Sequence, residues 1–504
     1  MSWTVLRVWV PVALLATASL IPFWTASVIQ HPIDDQYITI TYARNLAAGN
    51  GFVYNGGSPS LGTTTPLFTL TLAALKCAVP VIPLDRAGLY LSAVCWLLNA
   101  WCVVIFRRSL GLGFVGAAAV AISVLSIHEA YVGGEYALFG LLLLLSAICF
   151  GQRRWLLCGI CTGLLYMTRG EGGLLLPLIV IAHGWGWWRG GDRGWSALLF
   201  PLAWLGVGFG LTAGVWSVWA WHTFGSPLPH TLRMKMLQAR QDAASLGGYF
   251  QGMLWRAMRG EWGVPAFQFF TPLRAILWVL ALAGGVVAVR RGGPWLLILG
   301  WTAIYVGTYT ALTLPGYSFW YGLPPLWCWH YLVGLGLAAV LAARPGEGRE
   351  RALASASLLV MGLLLGGRML STVSHREDPR GAYYVEFSKF FGRQGLSRED
   401  RLAAYDAGFL GYYSGMPLYD LAGLVRPELQ PWIVRRDEAG LLAAVGPRFI
   451  VRTHERAPLR GAEEIIGGVS YRQRFLIAGP SEMRYYDCVS ILERGRLGSP
   501  SSGR

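Results

Sequence analysis

Long uncharged apolar runs alternate along this chain with short polar connections. Eleven of the runs read as bilayer-spanning helices, at approximately 5–28, 87–106, 110–127, 134–151, 155–168, 172–188, 195–222, 273–289, 293–314, 319–343 and 352–371. A helix needs about 20 predominantly apolar residues to cross the hydrocarbon core. One further run, 66–80, is short, begins with Pro66 and contains Lys76. It reads as a helix lying at the membrane interface rather than crossing it.

Positive charge tests this assignment, because Lys and Arg concentrate in cytoplasmic loops. With an interior N-terminus, the inner connections carry Arg107-Arg108, Arg153-Arg154, Arg189 with Arg193, Arg290-Arg291, and Arg344 with Arg349 and Arg351. The outer turns near 128–133 and 315–318 have no Lys or Arg, and the one near 169–171 has only Arg169. Counting 66–80 as a full span would put the paired arginines on the wrong side. The N-terminal run resembles a signal peptide up to Ala16-Thr-Ala18, but it continues well past that point and is expected to be retained.

Three segments then share the outer face: the loop 29–86, the loop 223–272 and the tail from 372. The expected domains are a membrane domain over 1–371 and an extracytoplasmic α/β domain over 372–497, followed by a disordered Gly/Ser/Pro tail over 498–504. In the tail, β-rich pieces at Leu402–Tyr405, Pro417–Leu421, Arg448–Arg452 and Met483–Leu492 alternate with a helix near Asp437–Val445. The fold class is an all-α polytopic membrane domain with about 11 transmembrane helices and a C-terminal extracytoplasmic α/β domain. No repeat or inverted pair of broken helices marks a transporter.

Composition agrees with this reading. Of 504 residues 54% are hydrophobic and 14% charged, and 23 are Trp, a residue of membrane interfaces. The net charge of +15 follows from 42 Lys and Arg against 27 Asp and Glu. It lies mostly in short inner loops, so it reports orientation in the membrane and not nucleic-acid binding. Six of the eight Cys lie in apolar runs, and Cys158-Gly-Ile-Cys161 reads as helix packing, not as a redox or metal site.

The chemistry begins at Asp34-Asp35, a few residues past the first span. Ionised groups so close to hydrocarbon are costly unless they are used. The loop reads Asp34-Asp35-Gln-Tyr-Ile-Thr-Ile-Thr-Tyr-Ala-Arg44, and 37–48 makes a short helix closed by Gly49 and Gly51. Such a carboxylate can take a proton from a hydroxyl or, with its neighbour, hold a divalent cation. It can equally cap the following helix.

The run Asp34-Asp35-x-Tyr-Ile-x-x-x-Tyr-Ala-Arg44-Asn-Leu, then Gly49-x-Gly51-Phe-Val-Tyr-Asn and Thr63–Leu67, resembles the first outer loop of GT-C membrane glycosyltransferases. The similarity is greatest to the branch containing the actinobacterial terminal arabinofuranosyltransferases. Gly133-Gly-Glu135-Tyr-Ala-Leu-Phe139, Met167-Thr-Arg169-Gly-Glu171, Phe224-Gly-Ser-Pro-Leu-Pro229 with Lys235, and Asp406-Ala-Gly-x-x-Gly411-Tyr412 extend it in order into the tail. The chain departs from the family pattern at Gly170, where Pro is frequent, and at His230, where Asn is frequent.

The resemblance implies an inverting transfer of a sugar from a polyprenyl-phosphate donor to an outer-face glycan or lipid acceptor. Arabinofuranose is the first expectation for the sugar, and mannose or another sugar the second. Asp34 or Asp35 would be the general base, with a divalent cation as the one cofactor expected. Arg44, Arg169, Arg233 and Lys235 would hold the donor phosphate, and Glu135, Glu171, His230, Asp406 and Tyr412 would contact substrate. The expected location is the bacterial cytoplasmic membrane, with the N-terminus cytoplasmic, the site extracytoplasmic, membrane lipids as neighbours and no nucleic-acid partner. The competing class is a transporter or flippase of a lipid-linked glycan; the gathering of polar groups at one face favours the enzyme.

Overall fold

The computed structural model describes residues 3–55, 59–127, 133–190, 194–241, 251–252, 271–312, 319–342, 347–373, 380–397, 399–454, 461–478 and 488–495. The terminal segment 498–504, Glu129 and most of the loop 223–272 lie outside these residues.

Among the described residues the helices are α1 (Trp3–Ala18), α2 (Ile21–Val28), α3 (Asp34–Ala47), α4 (Pro66–Ala78), α5 (Leu84–Ile105), α6 (Phe114–Leu125) and α7 (Tyr136–Gly151). They continue with α8 (Trp155–Thr168), α9 (Leu175–Arg189), α10 (Trp195–Phe209), α11 (Val215–Phe224), α12 (His230–Gln241) and α13 (Thr271–Arg291). Then come α14 (Gly293–Ala311), α15 (Leu323–Ala342), α16 (Glu347–Val373) and α17 (Arg380–Gly392). A helix lies at each of the eleven positions read from the apolar runs. Among the described residues, five stretches are long and apolar enough to cross a membrane on their own: Trp9–Val28, Leu84–Ile105, Trp195–Phe224, Pro272–Arg291 and Leu323–Ala342.

Small residues set the closest helix crossings. A Cβ on Gly159 of α8 would fall onto the Leu205 carbonyl of α10, and one on Gly208 would fall onto that of Leu156. Gly284 of α13 and Gly336 of α15 meet the Leu332 and Leu280 carbonyls in the same way. Backbones approach this closely in membranes only where side chains are absent. Gly159 sits inside the Cys158–Cys161 motif, which is therefore part of a helix contact. Cys158 is buried and its thiol points at the Ser146 carbonyl, 3.4 Å away. Between α10 and α11 the chain widens into one π-turn over Gly210–Gly214, and Gly225, at φ +74°, ends the helix.

The tail holds one six-stranded sheet, order β2-β1-β3-β6-β5-β4, from β1 (Leu402–Ala404), β2 (Leu418–Asp420), β3 (Phe449–His454), β4 (Glu463–Ile466), β5 (Val469–Ala478) and β6 (Cys488–Arg494). Strand β1 runs parallel to β2 and β3, and the remaining pairs are antiparallel. Helix α18 (Gly408–Tyr413) connects β1 to β2, while α19 (Gln430–Val434) and α20 (Glu438–Val445) lead to β3. Asp437 caps α20 by accepting the Gly440 amide, and Gly446 ends it in the left-handed region. Strands β4 and β5 were not anticipated from the sequence; a Gly467-Gly468 turn, at φ +58° and +76°, joins them as a hairpin.

One sheet face packs against Leu421, Leu429, Leu441, Leu442 and Val445. The other is continuous with the segment between α2 and α5. Tyr37, Tyr42, Phe52, Tyr54, Phe68, Tyr384, Phe409, Phe449 and Ile491 share one apolar cluster. The loop and the tail, at opposite ends of the chain, thus have a common core.

Candidate functional site

Helix α3 carries the acidic pair at its first turn, where carboxylates complement the helix dipole. The two side chains leave in different directions, as adjacent helical residues must, about 100° apart. Asp34 is 2% exposed. Its two carboxylate oxygens accept the backbone amides of Gly408 (3.2 Å) and Phe409 (2.8 Å), at the start of α18. Asp35 is half-buried and, among the described residues, accepts no hydrogen bond; its neighbours are Lys235 and Tyr136. Because the oxygens of Asp34 are turned onto amides, the pair does not converge on a common ion. No group of three or more His, Cys, Asp or Glu among the described residues could hold a metal.

Lys235, on α12, lies with its ammonium 5.2 Å from the centre of the Tyr321 ring. Burial works against its charge, but the Tyr321 phenol and the Asp35 carboxylate outweigh it and hold the pKa above the ordinary lysine value. Arg233 is exposed on the same helix. His230 opens that helix, half-buried, with its amide bonded to the Leu61 carbonyl at 3.0 Å. Burial, and then Arg233, depress its pKa.

Arg169 is committed to two carboxylates. Its guanidinium donates to Glu135 at 2.7 Å and to Glu171 at 3.1 Å, and lies over the Tyr136 ring at 5.4 Å. Gln36 of α3 donates to the other Glu135 oxygen at 3.4 Å. Glu171 also accepts the Tyr309 hydroxyl. Burial raises the Glu171 pKa, but Arg169 and Tyr309 overcome this and hold it below the ordinary carboxylate value.

Arg44 donates to the Tyr412 carbonyl at 2.8 Å and stacks over the Tyr412 ring at 4.7 Å. Asp406 follows β1, as expected, and accepts the Tyr384 hydroxyl. Arg44, Asp406 and Tyr412 therefore belong to the seam between α3 and the tail, while Asp35, Glu135, Arg169, Glu171 and Lys235 gather on another side of α3.

Sequence reasoning missed several members of this assembly. The Tyr37 hydroxyl lies 3.1 Å from His31 Nδ1, 3.2 Å from the Tyr413 hydroxyl and 3.4 Å from Asp85. Burial, then Tyr413 and Asp85, push its pKa up. Asp85, Tyr136, Tyr309 and Tyr321 stand at or beside the ends of apolar runs, which is the one signal available for them.

Residues 378–491 match a family model described as "Domain of unknown function (DUF8728)". No curated protein matches the chain in sequence. Among solved structures, ArnT from Cupriavidus metallidurans bound to undecaprenyl phosphate aligns with a TM-score of 0.55 at 14% identity. The alignment covers 95% of this chain and 97% of that one. The archaeal oligosaccharyltransferase AglB from Archaeoglobus fulgidus, in complex with an inhibitory peptide and a dolichol-phosphate, aligns with a TM-score of 0.55 at 12% identity. There the alignment covers 90% of this chain and 70% of that one. These likenesses show that the chain shares the fold of these two proteins, and they do not single out the arabinofuranosyltransferase branch.

Proposed function

We propose that the protein is an integral membrane glycosyltransferase that moves a sugar from a polyprenyl-phosphate carrier to a glycan or lipid acceptor. The observation that carries this reading is the contrast within the acidic pair: Asp34 is held by two amides, while Asp35 accepts no hydrogen bond among the described residues and lies within electrostatic reach of the Lys235 ammonium. A base must be free to take a proton, and an anionic leaving group needs a cation beside it. The undecaprenyl phosphate on ArnT and the dolichol-phosphate on AglB support a lipid-borne donor for the shared fold.

In this reading the acceptor hydroxyl oxygen attacks the anomeric carbon as the bond from that carbon to the donor phosphate oxygen breaks. The phosphate leaves with the electron pair, and Asp35 takes the hydroxyl proton. Lys235 stabilises the departing phosphate, with Arg233 a further cation on its helix. Arg169 is neutralised by Glu135 and Glu171 and frames the site. The likeness of the outer loop points to arabinofuranose first and mannose second.

Transfer from a synthetic prenyl-phosphate sugar in proteoliposomes tests this. Asp35→Asn is expected to lose about 10²–10⁴-fold in rate, the usual contribution of a general base. Lys235→Met is expected to weaken the use of donor. Full transfer by Asp35→Asn would remove the assignment.

A further inference from the structure

Asp34 and Arg44 hold the two ends of one short helix. From its place on α3 the Asp34 carboxylate receives the first amides of α18, and Arg44 donates to a carbonyl in its last turn. A carboxylate at the amide end and a cation at the carbonyl end complement the helix dipole. The two helices lie in direct backbone contact. A Cβ on Gly408 would fall onto the Asp34 carbonyl, and one on Gly411 onto the Tyr54 hydroxyl. That hydroxyl donates to the Ala407 carbonyl. Tyr37 fills the remaining space, 4.4 Å from the Phe409 ring and 5.2 Å from that of Tyr412. The Asp406-Ala-Gly-x-x-Gly411 motif is thus a docking motif: Gly408 makes room for α3 and Gly411 for Tyr54, in the loop after it.

We propose that Asp34 and Arg44 are positioning residues, which lock α3 against α18 of the tail and so fix the direction in which Asp35 presents its carboxylate. This rests on the reading of Asp35 as base. Rotating α3 to release Asp34 would turn Asp35 through the same angle, since both ride on one rigid turn. The lock is specific, because a buried carboxylate stripped of its amides has no water to replace them. A misplacement of about 1 Å in a reacting group costs on the order of 10²-fold in rate.

The test measures kcat, donor KM and the pH dependence of kcat/KM for Asp34→Asn, Arg44→Met and Arg44→Lys in the full-length protein. Resistance to trypsin and elution as a monodisperse peak establish folding. Asp34→Asn and Arg44→Met are expected to lower kcat by about 10–100-fold while donor KM stays within about twofold. The acid limb of the pH profile should keep its midpoint, because the base itself is unchanged, and Arg44→Lys should recover most of the rate. Unchanged kcat in Asp34→Asn and Arg44→Met would overturn the proposal. So would loss of the acid limb in Asp34→Asn, which would make Asp34 the base. Should Asp34→Asn fail to fold, the Arg44 pair decides: equal losses in Met and Lys refute positioning through the clamp. Failure of the underlying reading appears separately, as full transfer in Asp35→Asn.

Discussion

Arg169 and Glu135 meet at 2.7 Å with side chains only 7% and 3% exposed, which makes theirs the best-shielded ion pair among the described residues. The pair ties α7 to the turn after α8, and Gln36 extends it to α3. Removing one partner from such a pair strands the other charge, at a cost of about 3–5 kcal/mol. Glu135→Ala should lower the midpoint of thermal unfolding in detergent markedly. Arg169→Lys should do so nearly as much, because a lysine cannot reach both Glu135 and Glu171 with a planar fork.

The Glu171 carboxylate supplies an acid dependence whose sign is fixed. Its folded-state pKa lies below the ordinary 4.5, so its contribution is present above that value and is lost as pH falls through the lower folded value. Thermal midpoints should therefore hold down to about pH 4.5 and decline below it. Tyr309→Phe removes one of the groups that depress the pKa, so the total loss below pH 4.5 should be smaller in that variant. An unchanged loss would show that the Tyr309 bond does not stabilise the carboxylate.

The α13–α15 crossing has no space for a side chain at Gly284 or Gly336. Gly336→Val should cost at least the 1–3 kcal/mol, roughly, of an overpacked core. The loss should appear as reduced yield of folded protein by fluorescence-detected size exclusion. Gly285→Ala, one residue away, has nothing within 4 Å of its Cβ and should be tolerated.

In the tail, Gly468→Val places a β-branched residue at φ +76° in the turn between β4 and β5. The left-handed backbone costs an ordinary residue about 1–2 kcal/mol. Faster hydrogen exchange across β4 and β5 is the expected signature, with β1, β2 and β3 unaffected.

The positions of the helices were legible because lipid selects for composition, and composition is local. Strands β4 and β5 escaped because their polar alternation, Tyr471-Arg-Gln-Arg474, suits an exposed sheet and gives a weak signal. The Gly-Gly pair between Ile466 and Val469 was the signal that could have found them. At the site, the placement of the acidic pair was readable from its distance to the first apolar run. The separate surroundings of Asp34 and Asp35 were not, since what distinguishes them is a pair of amides 374 and 375 residues away along the chain. Tyr309 and Glu171 likewise meet across 138 residues.

The shared core of the first loop and the tail has a consequence for biogenesis. The acidic helix emerges from the translocon among the earliest segments, yet the strand, turn and short helix that receive it are synthesised near the end. During most of elongation the nascent chain therefore carries Asp34 without its amides, and it cannot assume its working shape. A chain cut before residue 408 would lack the amides that receive Asp34.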